Sequence, residues 1–287
     1  MRGGGRGGFG AAPSISLELE RAPGAVARPD GAEEAGADPF GLDLAFRESV
    51  RPICRFLFER YWRIEVQGAH HVPHGGPVLL VANHSGALPF DGAMICTAVD
   101  LRCDRVLRFL YDRFVDAMGP IGAFYRKCGG TVASREGAAA LLEQGEPVLL
   151  FPEGVSGVAK PFTDRYRLRP FSPGFARLAL ALVVPVVQVA VVGAEEIYPL
   201  VGRAEGVGRV MGAPYLPITP FFPLLGPLGA LPLPTKWFIR FGKPIRFTPV
   251  DEETRSLRAK TEAARVRRKV QAMVTRLKRR RRSVFFG

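Results

Sequence analysis

From residue 78 onward, short apolar runs alternate with stretches whose apolar residues recur at helical spacing, the signature of βαβ units. Runs at 78–82, 106–110, 130–133, 148–151 and 186–192 predict strands, and a run at 236–241 predicts a late strand placed at an edge. Helical patterns fall at 91–99, 112–118, 135–144 (closed by Gly145), 174–182 and 252–280. Ahead of them, Leu44, Phe46, Val50, Ile53, Phe56, Leu57 and Trp62 give 42–62 an amphipathic helical character, with Pro52 expected to kink or split it. The expected fold class is α/β. It comprises a single domain with a mixed, mostly parallel sheet flanked by helices, an N-terminal amphipathic helix and a long basic C-terminal helix. The expected organisation is a disordered leader at 1–38, the amphipathic helix region at 39–64, the α/β body at 65–250 and the basic tail at 251–287.

Composition agrees with a folded chain: 47% of the 287 residues are hydrophobic and 23% charged. The net charge of +13 is uneven, with about −2 on residues 1–39 and +9 on 251–287. An anionic partner should therefore meet the C-terminal end. Cys54, Cys96, Cys103 and Cys128 form no CxxC pair and read as structural thiols of a reducing compartment. The opening MRGGGRGGFG lacks the apolar core of a secretory signal; it reads as a flexible leader, with RNA binding as the competing role.

Two uncharged stretches bear on membranes. Residues 178–194 contain Pro185 and read as a helix, a break and a buried strand. Residues 210–235 contain seven prolines, which would leave backbone groups unpaired in hydrocarbon; an apolar loop dipping into a bilayer surface remains open. The expected localisation is cytoplasmic and peripheral to a membrane.

The candidate chemistry lies where strands give way to loops, the ligand-binding edge of open α/β sheets. Asn83-His84-Ser85-Gly86-Ala87-Leu88-Pro89-Phe90-Asp91 follows the strand at 78–82 and leads into a helix. An imidazole there can take a proton from a hydroxyl, and a carboxylate on its other nitrogen fixes the tautomer. The plainer roles are an N-cap for Asp91 and an ordinary loop histidine for His84. Phe151-Pro152-Glu153-Gly154 ends another strand and should present Glu153 at the rim to a hydroxylated substrate, or stand as an exposed turn. Gly129-Gly130-Thr131-Val132-Ala133-Ser134-Arg135 brings Arg135 to a helix N-terminus, suited to an anion or simply solvated. Val184-Pro185-Val186 opens a strand. His70, His71 and His74 lack a carboxylate or cysteine at ligand spacing and read as surface residues, with no metal expected.

In order, these four segments resemble the conserved blocks of the lysophosphatidic acid and glycerol-phosphate acyltransferase superfamily, over about residues 65–195. The resemblance implies that His84 is the general base and Asp91 its orienting partner. Arg135, Glu153 and Gly154 would bind the acceptor, and Pro185 would shape the site. It implies an acyl-CoA or acyl-carrier-protein co-substrate, a membrane lipid acceptor and no further cofactor.

The sequence departs from the common pattern twice. Six residues separate His84 from Asp91 where four are usual, a loop similar to the monoacylglycerol and diacylglycerol acyltransferase-like branch; it must bulge outward for the pair to touch. Glu153-Gly154-Val155-Ser156 also lacks the arginine that commonly follows, which puts a phosphorylated acceptor in question. Lys160, Arg165, Arg167 and Arg169 offer a replacement anion clamp if 164–169 is extended, the arginines then sharing one face.

The basic tail, carrying Leu257, Ala264, Val270, Met273, Val274 and Leu277, suits an anionic membrane surface. Nucleic acid is the weaker partner for Lys278–Arg282, since no aromatic interleaving accompanies the charge. The function expected is transfer of a fatty acyl group from a thioester to a glycerolipid or lysophospholipid hydroxyl. The alternative is a non-catalytic lipid- or RNA-binding protein on the same scaffold. A serine hydrolase is disfavoured because Gly154-Val155-Ser156-Gly157 lacks nucleophile-elbow spacing.

Overall fold

Seven short strands with almost wholly apolar centres require cover on both faces, and helices supply it. A computed structural model of the chain describes residues 36–84, 90–158, 160–204, 206, 216–222 and 224–287. The strands are β1 (Glu65–Gln67), β2 (Val78–Ala82), β3 (Arg108–Tyr111), β4 (Gly130–Val132), β5 (Pro147–Leu150), β6 (Val186–Val192) and β9 (Phe238–Phe241); β7 (Gly202–Ala204) and β8 (Leu216–Ile218) form a separate antiparallel pair. The large sheet runs β1-β9-β6-β2-β5-β3-β4. From β6 to β4 the strands are mutually parallel, while β9 runs antiparallel to β6 and parallel to β1.

Strand alternation divides the core. Leu79 and Val81 face α4 (Arg135–Glu143), α6 (Gly174–Leu182) and α7 (Glu252–Arg280); Leu80 and Ala82 face α2 (Phe90–Cys103). On α7, Val266, Val270, Val274 and Leu277 are fully buried. Each contributes about 1.5–3 kcal/mol by that burial. This corrects part of one expectation: of the residues assigned to a membrane-facing stripe, Val270, Val274 and Leu277 are buried and Met273 packs against the core, so those side chains cannot enter a bilayer. What remains for a partner is the charged face of α7, together with the exposed Leu257 and Ala264 near its start.

Other expectations are corrected too. The strand at 236–241 is not at an edge; β9 lies inside the sheet between β1 and β6, which an alternating Phe-Ile-Arg-Phe sequence could not reveal. The helix at 112–118 is a 3₁₀ segment (Arg113–Met118), followed by α3 (Pro120–Lys127), which starts on a proline at its first position. Pro52 neither splits nor ends α1 (Leu44–Phe56), which is capped by Asp43 accepting from the Phe46 N–H. The chain instead widens into π-helical geometry over Leu57–Tyr61, delivering Phe58 and Trp62 to the core. Trp62 stacks on Trp237 at 4.6 Å, and its indole N–H donates to the Leu233 carbonyl.

The leader expected over 1–38 lies outside the described residues as far as residue 35. Asp38, at its end, is ordered: it pairs with Arg108, which is sealed from solvent in β3. Nor is His71 a plain surface residue, since its Nδ1 lies 3.1 Å from the Phe241 carbonyl. All four cysteines are free, and burial pushes the Cys96 thiol up to about 12. Among the described residues no helix is long and apolar enough to cross a membrane.

Candidate active site

The parallel strands β2, β5, β3 and β4 end at one edge of the sheet, and the chemistry-bearing residues follow them. Asn83, fully buried just past β2, donates from Nδ2 to the Val191 carbonyl (3.1 Å) and accepts from the Val191 N–H (2.8 Å). That reciprocal pair locks the end of β2 to β6 immediately before His84. The imidazole of His84 stacks on Phe151 (centroids 4.1 Å, planes 21° apart), so its ring plane is set from the neighbouring strand β5.

Nδ1 of His84 lies 2.8 Å from Oδ2 of Asp91, in the first turn of α2. Asp91 has no solvent exposure, and its Oδ1 accepts the N–H of Gly92 at 2.8 Å. A carboxylate on Nδ1 selects the tautomer with the proton on that nitrogen, leaving the Nε2 lone pair to accept one. Thus the two residues do meet across their six-residue spacing. The bulge expected of the intervening loop, 85–89, lies outside the described residues.

Glu153 does not stand at the rim. Its side chain is wholly buried and acts inward. Oε1 accepts the backbone N–H of His84 at 3.0 Å, and Oε2 accepts the Arg169 N–H at 2.7 Å. The expectation that Glu153 is offered to a substrate is therefore corrected. Proline and glycine do turn the chain as anticipated, with Gly154 at φ 56°, but the turn drives the carboxylate under the histidine loop. Gly157, in the short helix α5 (Val155–Val158), allows that approach: an added Cβ would sit 2.8 Å from the Glu153 Cβ and 3.0 Å from the His84 Cβ.

Lys160 likewise faces inward, 3.4 Å from Glu153 Oε2 and 3.2 Å from Glu195 Oε1. The anion clamp does not assemble. Tyr166 adopts φ 67°, which breaks the extended run needed for the arginines to share a face. Arg165 lies on the Phe162 ring at 4.3 Å, Arg169 pairs with Asp164 at 2.9 Å, and Arg167 is exposed. Arg135 is exposed at the start of α4, capped by Ser134, three strand steps (~14 Å) along the rim from β2. Pro185 is placed at the opposite end of the sheet, because β6 is parallel to β2 and Val186 pairs with Leu79; it does not shape the site.

The sequence analysis quoted Asn83, Phe151 and Gly157 within its motifs without giving them a role, and did not single out Glu195. Asn83 and Phe151 stand directly beside His84 and Pro152 in those segments, a local signal available to inspection. Glu195 lies far along the chain and had none. Burial pushes its carboxyl up to about 7 even with Lys160 beside it.

Comparisons with known proteins agree with this arrangement. A family model described as Acyltransferase matches residues 63–192, the stretch holding His84, Asp91 and Glu153. The uncharacterized proteins Mb0514 of Mycobacterium bovis and Rv0502 of Mycobacterium tuberculosis are each 42% identical over 259 residues, covering 87% of this chain and 72% of their own. A solved structure, the 1-acyl-sn-glycerophosphate (LPA) acyltransferase PlsC from Thermotoga maritima, shares the fold with TM-score 0.51 and 18% identity, over 82% of this chain and 79% of that one. The α/β sheet, the paired histidine and aspartate at the exit of β2 and the matched family model have one reading: the chain belongs, with these mycobacterial proteins, to an acyltransferase family.

Proposed function

We propose that this acyltransferase moves a fatty acyl group from an acyl thioester, acyl-CoA or acyl carrier protein, to a hydroxyl of a glycerolipid or lysophospholipid. The observation that carries the reading is the 2.8 Å contact between His84 Nδ1 and the buried Asp91 carboxylate. Nε2 accepts the proton as the hydroxyl oxygen attacks the thioester carbonyl. The C–O bond forms, the C–S bond breaks, and the leaving thiolate takes the proton back from the imidazolium. The chemistry calls for no metal or bound cofactor, and the phosphorylated acceptor named for the Thermotoga relative is one candidate class. The longer histidine–aspartate loop and Val155 favour a neutral glyceride as the other.

We place the reaction at a bilayer surface. In support, Leu224, Leu228 and Leu231 are 82%, 70% and 63% exposed on one segment. Tyr61 and Arg63 hold the end of that segment through the carbonyls of Pro232 and Pro234. Arg63 also donates to the Phe285 carbonyl, which joins the exposed Phe285–Phe286 tail to the same anchor, and Lys278, Arg279, Arg280 and Arg282 lie exposed just before that tail while Arg281 is paired inward with Glu196. The test is a panel of lysophospholipid and mono- or diglyceride acceptors with labelled acyl-CoA. A labelled ester from the wild type and none from folded His84→Ala supports the reading; product from that variant overturns it.

A further inference from the structure

We infer that Lys160 and Glu195 are positioning residues for His84, acting through Glu153. The inference rests on the proposed role of His84 as base and concerns what fixes it. Glu153 binds the catalytic residue by its backbone: Oε1 takes the His84 N–H at 3.0 Å, so movement of this carboxylate moves the whole histidine. Its other oxygen receives both the Arg169 N–H at 2.7 Å and the Lys160 ammonium at 3.4 Å. Lys160 reaches on to Glu195 Oε1 at 3.2 Å, and Glu195 Oε2 accepts the Tyr166 N–H at 2.8 Å.

The three side chains are 0%, 3% and 6% exposed, in the order Glu153, Lys160 and Glu195. One ammonium shared by two buried carboxylates is a costly arrangement that hydrophobic residues could replace with no loss of stability. Its geometry explains its presence. Glu195 follows β6, Glu153 follows β5, and His84 follows β2, the strand between them. The bridge therefore braces the histidine from both neighbouring strands, and also gathers the 160–169 segment through the Tyr166 and Arg169 N–H groups. A proton-accepting nitrogen gains from being held to within a fraction of an ångström. An acceptor-binding role for either charged group would need it open to substrate, and neither is.

The experiment measures kcat and both KM values for wild type, H84A, E153Q, K160M and K160R with an acyl-CoA and a lysophospholipid acceptor in detergent, with folding checked by thermal melting. E153Q keeps Lys160 paired with Glu195, and so carries the same test should K160M fail to fold. The expected result is a kcat at least tenfold lower in E153Q and K160M, KM values within twofold of wild type, and recovery to within threefold in K160R. A tenfold rise in acceptor KM at unchanged kcat would make the cluster a substrate site and overturn the inference, as would wild-type kcat in folded E153Q. An active H84A would instead remove the reading beneath it, so the two failures are distinguishable.

Discussion

Asp91 touches His84 through a single bond, Oδ2 to Nδ1 at 2.8 Å, and is itself shut off from water. An amide in its place keeps the volume but loses the charge that steadies the imidazolium, and its NH₂ group favours the wrong tautomer. Asp91→Asn should therefore lower kcat by on the order of 10³-fold with the fold intact. Steady-state kinetics beside a circular dichroism melt decide this; an unimpaired kcat would show that the aspartate is only a helix cap.

Gly157 is a steric prediction. Its missing side chain leaves room for the Cβ atoms of His84 and Glu153, which an alanine would crowd at 3.0 and 2.8 Å. Neither neighbour is the flexible end of a side chain, so backbone has to shift. Gly157→Ala should cost about 1–3 kcal/mol of stability. It should also depress turnover by displacing the histidine. Denaturant unfolding together with kcat checks both; full activity at unchanged stability would mean the loop has slack that the packing does not suggest.

Glu195 gives the protein a pH signature. Burial, opposed by Lys160, the Tyr166 N–H and the Lys160 contact, and reinforced by Glu153, raises its carboxyl from 4.5 to about 7. The folded state thus holds a proton that the unfolded chain releases at lower pH. Stability from this group is complete below the unfolded value and is lost as pH climbs from about 4.5 through 7, a change of roughly 3 kcal/mol. Urea titrations from pH 4.5 to 8 should show this decline in the wild type and a flatter profile in Glu195→Gln. Parallel profiles would place the carboxyl at an ordinary value.

The exposed leucines bear on the membrane. Burying each leucine side chain in a bilayer is worth about 1.5–3 kcal/mol. Replacing Leu224 and Leu228 by serine should then weaken sedimentation with anionic vesicles at least tenfold, while activity on an acceptor dispersed in detergent stays within twofold. Added salt should weaken binding further through the exposed charges of Lys278, Arg279, Arg280 and Arg282. Vesicle binding that ignores both changes would move the docking face elsewhere.

Much of the fold was legible because central strands and packed helices obey simple periods. The helices at 174–182 and 252–280 and the strands at 78–82 and 186–192 match their predicted bounds, each having one uninterrupted apolar pattern. The position of β9 was not legible, since pairing partners depend on topology rather than on local composition. In the site, the meeting of residues 84 and 91 follows from a strand exit and a helix start close together in sequence. The inward turn of Glu153 and Lys160 does not, because a charged residue after a strand looks the same whether it faces solvent or a distant carboxylate. Glu195, supplied by the end of β6, is such a partner, and the motif region carries no trace of it.

The pairing of β1 with β9 bears on how the chain is made. Among the described residues strand β1 is an outer strand that pairs with β9 alone, with Glu65 opposite Phe238. During ribosomal synthesis this early strand must therefore wait, unpaired, until residues 238–241 have emerged, and α7, which covers β6, comes later still. The histidine and aspartate are translated early, yet the strands and helix that close the scaffold around them come more than a hundred residues later. Nascent chains stalled before residue 238 should remain protease-sensitive around 57–67, where a non-local sheet leaves its first strand exposed.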